Sequence, residues 1–313
     1  MMAFRCHPFC GFHALRQTLS NQPGTSMKTK SVPRITRLWM VAALALALLP
    51  CGVGAGEALL DPLVQAAHAG DLALVKSLLD KGADVNATDI YGRTALMMAA
   101  RDGNLAIIRL LLDKGADVNA RSKLAFHIGP GLRKLRVASA LMAASEQGHL
   151  DVVKLLLDKG AEIDARDVAG TTALMWASTE GRLEVVKLLL DRGSDVNAKD
   201  GGGASALKFA SGKGHLDVVK TLLDKGADIN TRDLGGMTAL RRAAWTHQRD
   251  VVQQLLERGG DPNIRDKQGK TALGIARKAA HDSVKEVRTG PTLALKAAYE
   301  AIAELLKARG ARE

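Results

Sequence analysis

Few residues in this chain could do chemistry, and their spacing decides what they can do. Cys6 and Cys10 stand in a C-x3-C spacing with His7 and His13 beside them, a set that invites zinc. Tetrahedral zinc needs four donors, and no second ligand pair follows at the usual distance, so no metal centre is expected. Cys51 is the last cysteine, and the chain beyond it needs no disulfide. Aspartates are frequent, but they recur at turn and cap positions, where a short carboxylate accepts local backbone N–H groups. Gly201-Gly202-Gly203 reads as the tip of a turn and not as a phosphate cradle. The chain contains no G-x-S-x-G, phosphate loop, H-E-x-x-H or C-x-x-C. The expectation is a protein without catalytic residues, cofactor or metal.

The elements that hold these residues follow from an internal period. Thr94, Thr172, Thr238 and Thr271 each begin Thr-Ala-Leu, and Ser139 and Ser205 begin Ser-Ala-Leu. Successive starts from 139 to 271 lie 33 residues apart, and 33 residues before Thr94 stands Asp61-Pro62-Leu63. The step from 94 to 139 is 45, so it holds twelve extra residues. Seven units are expected, starting at 61, 94, 139, 172, 205, 238 and 271.

Thr, Ser or Asp at the start can cap a helix, and Pro62 suits a first helical position. Small pairs such as Ala99-Ala100 and Ala243-Ala244 let helices approach closely. Gly70, Gly103, Gly148, Gly181 and Gly214 then break the first helix. A second helix carries an apolar stripe, as in Leu150, Val153, Leu156 and Leu157, or Leu183, Val186, Leu189 and Leu190. Gly82, Gly115, Gly160, Gly193, Gly226 and Gly259 suit the left-handed position that ends it. Asp89–Gly92, Asp167–Gly170, Asp200–Gly203, Asp233–Gly236 and Asp266–Gly269 read as turns at hairpin tips. A single unit cannot bury both its faces, so stability must come from stacking.

The unit Gly-Ala-Asp-Val-Asn-Ala-x-Asp-x-x-Gly-x-Thr-Ala-Leu-Met resembles the ankyrin repeat over about residues 61–280. The resemblance implies an all-α repeat solenoid of helix-turn-helix units with projecting hairpins and a concave face that binds another protein. It also makes His149 and His215, each in Gly-His-Leu, ordinary structural residues of the inter-helix corner. Departures are visible. The family's Thr-Pro-Leu-His is Thr-Ala-Leu-Met at Thr94 and Thr172 and Ser-Ala-Leu-Lys at Ser205. The histidine that ties repeats together is therefore missing, and lower stability is expected. The unit at 238 has His247 where the corner glycine belongs and Arg249 where a leucine belongs, which predicts a distorted corner. The last unit carries about seventeen extra residues around 281–297.

Partners of such arrays usually contact hairpin tips and the exposed side of first helices. By position this selects Tyr91 and Arg93 at one tip, with Arg101, Asp102, Glu146, Gln147, Thr179 and Glu180 on first helices. It also selects Trp245 beside Arg241 and Arg242, either as a binding anchor or as a side chain folded over the corner at His247. Met97, Met98, Met142 and Met175 are either core filling or an adaptable strip on the binding face. The insertion between the second and third units, 121–138, carries Arg121, Lys123, Arg133, Lys134 and Arg136 and no acid. It is either a tolerated surface insertion or a basic finger for an acidic partner or anionic membrane surface.

The chain of 313 residues is 47% apolar but only 3% aromatic, which suits close-packed helices built from Leu, Val, Ile and Ala. Its net charge of +11 owes more than half to Arg5, Arg16, Lys28, Lys30, Arg34 and Arg37, which precede residue 56 with no acidic residue among them. The rest is mildly basic and lacks the concentrated patch of a nucleic-acid binder. Lys28 to Arg37, the uncharged run Leu38–Leu49 and the small residues up to Gly56 have the form of a secretory signal. Twelve residues fall short of the roughly twenty that cross a bilayer. The expected organisation is a leader or overlong start at 1–26, a signal peptide at 27–55 cleaved near Ala55, and an array at 56–313. An ankyrin array behind such a signal implies a bacterial exported protein, periplasmic or secreted, monomeric and bound to another protein. The alternative is a membrane-associated structural component anchored through 38–49 or Cys51, although Pro50 stands where a lipidation site wants a small residue.

Overall fold

A computed structural model describes residues 61–122, 138–286 and 290–312. The described residues form fourteen α-helices in consecutive pairs. They are α1 (Pro62–Ala69) and α2 (Leu72–Asp80), α3 (Ala95–Asp102) and α4 (Leu105–Asp113), α5 (Ala140–Gln147) and α6 (Leu150–Asp158), and α7 (Ala173–Thr179) and α8 (Leu183–Asp191). Then follow α9 (Ala206–Lys213) and α10 (Leu216–Asp224), α11 (Ala239–Trp245) and α12 (Arg249–Glu257), and α13 (Ala272–Glu286) and α14 (Gly290–Ala308). No extended strand occurs among the described residues; a single bridge pairs Thr88 with Thr94.

The first helix of each pair packs on the first helix of the next, and the second helices stack in the same order. The described residues form an all-α repeat solenoid. Each first helix starts one residue after the Thr, Ser or Asp that begins a unit. The Thr94, Ser139, Thr172 and Thr238 hydroxyls accept the N–H three residues on, and Asp61 accepts those of Leu63 and Val64. At the corner between helices, backbone N–H groups of Asn104, His149 and Arg182 return to Ala99, Ala144 and Ala177, at 2.8–3.0 Å.

The core is one long cluster of small and branched side chains, with Met97 and Ala143 in a second, small one. Ala99, Ala100, Ala144, Ala243 and Ala244 are fully buried where first helices meet. Absence of bulk there lets the helix axes close, and the seam is filled by Leu, Val and Ile from the second helices. Val152, Val153 and Leu156 are buried in α6, and Val185, Val186 and Leu189 in α8. Val153, Leu156, Val186 and Leu189 are thus buried as expected, whereas Leu150, Leu157, Leu183 and Leu190 are only half-buried, and Val152 and Val185 take their place in the core. Met97, Met98, Met142 and Met175 are all 3% exposed or less. They are core filling, which removes the reading of a soft methionine strip on a binding face.

The corner at His247 is not distorted. His247 takes the left-handed conformation itself, at φ 52°, among the described residues the one non-glycine to do so. Gln248 N–H then donates to the Ala243 carbonyl at 3.0 Å, the bond made at the other corners. The conformation costs a non-glycine residue about 1–2 kcal/mol, and an edge-to-face contact with Tyr299 at 5.7 Å helps hold the ring. Arg249 lies exposed at the start of α12, so its charge stays hydrated where a leucine would be half-buried. The extra residues of the last unit extend its helices. α13 and α14 run 15 and 19 residues.

The insertion after Arg121 leaves and rejoins the array at one point, where Ser122 N–H donates to the Ala138 carbonyl at 3.0 Å. Its body, with Arg133, Lys134 and Arg136, lies outside the described residues. The expected signal segment and Cys51 do so too. No helix among the described residues is long and apolar enough to cross a membrane.

Candidate functional site: the first-helix face and the hairpin tips

Successive hairpins are tied by their own backbones. Gly201 N–H donates to Ala169, Leu234 to Gly202 and Lys267 to Gly235, at 2.7–3.0 Å. Within each tip the leading aspartate organises the turn: Asp89 accepts from Tyr91 and Arg93, Asp167 from Ala169 and Thr171, Asp200 from Gly202 and Ala204. The aspartates are thus local acceptors, and among the described residues no cluster of His, Cys, Asp or Glu could hold a metal. The residue after the aspartate is thrown outward. Ile90, Val168 and Leu234 are 49%, 66% and 64% exposed at this position.

Tyr91 is half-buried at its tip, and the Arg93 guanidinium lies 4.8 Å from the ring centroid. Arg93 itself is a correction. It is 4% exposed and paired with Asp89 at 2.6 Å, so it braces the turn from beneath and offers nothing to a partner. Arg241 is corrected likewise. It is buried and paired with Asp266 of the next hairpin, because its position in the helix points across the inter-unit seam. Burial pulls the Arg241 guanidinium below its ordinary value, and Asp266 opposes that.

Lys208 stands one unit earlier at the same position and pairs with Asp233. Burial first, then Arg242, lowers its ammonium to about 8, with Asp200 acting in the other direction. These are the positions of the family's tying histidine. Met97, Met142 and Met175 fill them with apolar bulk, whereas Lys208 and Arg241 tie unit to unit by charge. Ties also come from the corner: His149 Nε2 lies 2.9 Å from the Arg101 carbonyl and His215 Nε2 3.0 Å from that of Thr179. Arg182 Nε donates to Glu146 O at 3.0 Å in the same place. The expected loss of inter-unit ties is therefore made good by other residues.

On the first helices, Asp102 is exposed and within 2.7 Å of His68 Nδ1. Arg101, Glu146, Gln147 and Thr179 are half-buried and Glu180 is exposed. Thr179 Oγ1 donates to the Met175 carbonyl. Trp245 ends α11 with 48% of its surface exposed. It is not folded over the corner; Tyr299 Oη donates to its carbonyl at 2.7 Å, and the Arg242 guanidinium sits 5.5 Å from its ring. The cation beside Trp245 is therefore Arg242 and not Arg241.

Two further aromatics share this face. Trp176, Phe209 and Arg242 occupy one position in α7, α9 and α11, each 33 residues from the last. All three are half-buried, with the rings resting on the core. The 33-residue register was the signal that could have found them. Trp245 stands one turn further along α11, so a ring-and-guanidinium surface runs over three successive first helices. Such a surface offers flat apolar area and a rigid cation, the side-chain types that dominate protein–protein anchors.

No curated protein matches the chain. The family model for ankyrin repeats matches three times, over residues 41–122, 124–200 and 200–266. Together with the capped helix pairs, corner glycines and tied hairpins of the structure, these matches show that the chain belongs to the ankyrin-repeat family.

Proposed function

We propose that the chain is a protein-binding scaffold or regulator that holds its partner on the first-helix face and hairpin tips. Ankyrin repeats are in general protein-interaction modules. The observation that carries the reading is the half-exposed Trp245 with Arg242 over its ring, on the face that also bears Trp176 and Phe209. A fold of packed helices has no need to expose a tryptophan, and a large apolar side chain held beside a cation is the usual form of a binding anchor. Ile90, Val168 and Leu234 add apolar contact area at the tips.

The reading includes export. A positive flank, the apolar run 38–49 and small residues up to Gly56 support delivery to the periplasm or beyond, with the mature chain starting between Gly52 and Glu57. Sequencing the native N-terminus tests this, and an intact Met1 or Met27 end contradicts it. For the binding face, Trp245→Ala is expected to weaken a captured partner by about 2 kcal/mol, roughly thirtyfold, with the helical signal unchanged. Unchanged affinity in the folded variant would remove Trp245 as an anchor.

A further inference from the structure

We propose that the first-helix face of α9, α11 and the start of α13 receives an acidic segment of the partner that also carries apolar side chains. This rests on the reading of the chain as a protein-binding module and names the chemistry of what it binds. The first observation is the distribution of charge along the stack. Over their first-helix lengths, α9, α11 and α13 bear Lys208, Lys213, Arg241, Arg242, Arg277 and Lys278 and no acidic residue before Asp282. The equivalent stretches of the earlier units bear Asp102, Glu146 and Glu180 against Arg101 alone. One face thus changes sign between α7 and α9.

The second observation is how these cations are held. Lys208 and Arg241 are consumed by Asp233 and Asp266. Arg242 pairs with no carboxylate among the described residues and keeps its guanidinium over the Trp245 ring. Its position depends on Gly212, since a Cβ there would come within 2.8 Å of Arg242 Nε. Arg242 therefore lies against α9 and between Phe209 and Trp245 in register, while Lys213 at the end of α9 and Lys278 in α13 are exposed. A guanidinium fixed by stacking presents its N–H groups in a set direction and suits a carboxylate. The flanking rings suit Leu or Phe side chains on the same segment.

A single-stranded nucleic acid would use cations and rings in a related way. Two features disfavour it. Trp176 and Phe209 rest half-buried on the core and do not stand out as stacking platforms. A continuous polyanion laid along the stack would also meet Glu180, Glu146 and Asp102. A protein segment that is acidic at one end and neutral or basic at the other meets complementary charge along its length.

The test is fluorescence anisotropy on the full chain with three labelled probes: a Glu-rich peptide carrying Leu and Phe, the same peptide with Lys for Glu, and oligo(dT). The Glu peptide is expected to bind, more weakly as salt is added, and the Lys peptide not to bind. The double variant Arg242→Glu, Lys213→Glu should weaken the Glu peptide at least about tenfold. Arg242→Gln, which keeps the bulk over Gly212, should weaken it less, and circular dichroism checks that each variant is folded. Absence of Glu-peptide binding, equal binding of the Lys peptide, indifference to charge reversal, or tighter binding of oligo(dT) each overturns the inference. If a captured partner protein is lost with Trp245→Ala yet retained by the charge-reversed variant, this inference fails and the protein-binding reading stands. If no protein is captured, both fail.

Discussion

Lys208 shows what a single position in a repeat can be made to do. The same helical position holds buried Met97, Met142 and Met175 in three earlier units. The Asp167 and Asp200 turns that follow Met142 and Met175 are satisfied by their own backbone N–H groups. Asp233 likewise accepts from Met237 N–H at 2.8 Å, so its turn does not depend on Lys208. Removing one partner of a buried pair nonetheless leaves the other charge uncompensated, and the Asp233 side chain is only 10% exposed. Lys208→Met is therefore expected to cost about 1–3 kcal/mol, read as a denaturant midpoint shift. Unchanged stability would mean that the backbone N–H groups of the turn satisfy Asp233 without Lys208. The pH dependence has a definite sign. The ammonium loses its proton near pH 8 in the folded chain and near 10.5 when unfolded. Between those values the unfolded chain binds more protons, so this group makes stability rise with pH across that window and adds no slope below it. Lys208→Met should abolish that rise.

At the scale of elements, the stack is held by a repeated side-chain bridge. Asn86, Asn119, Asn197, Asn230 and Asn263 each accept a backbone N–H from the next unit, at 2.7–2.9 Å. Asn197 also donates to the Gly226 carbonyl at 3.2 Å. Asp164 fills the same role once, accepting from Ser194 and Asp195. Exposed ion pairs such as Lys114–Asp80 and Lys225–Asp191 repeat beside it, but pairs of this kind contribute only about 0–1 kcal/mol. Asn197→Ala removes two bridging bonds and is expected to cost about 1–2 kcal/mol, with the denaturant slope preserved. No change in midpoint would show that backbone contacts alone set the spacing.

Helix starts, corner glycines and hairpin turns were legible in the sequence because each answers a local demand: a cap, a left-handed φ, a turn acceptor. Gly82, Gly115, Gly160, Gly193, Gly226 and Gly259, which end the second helices, stand where the pattern put them, at φ 84–90°. Burial of Arg93 and Arg241 was not legible, since it depends on an aspartate's direction in the folded hairpin. The asparagine bridges were hidden for a related reason, as the N–H groups they accept from lie 31–49 residues away. His247 could be seen as a departure, but only the fold showed that histidine itself takes the left-handed turn.

For the whole molecule, the two faces of the stack differ in kind. The second helices present hydrated charge, with Lys187 paired to Glu184 and Lys220 near Asp217. The first helices present rings and unequal charge from one end to the other. The proposed partner sits on the first-helix face. This is tested by capturing proteins from an extract of the source cells on the immobilised chain and comparing Trp245→Ala, Arg242→Ala with Lys187→Ala, Lys220→Ala. The prediction is that the first variant loses a protein that the wild type and the second variant retain. Retention by the first variant with loss by the second would put the binding surface on the second helices and rule out the first-helix face.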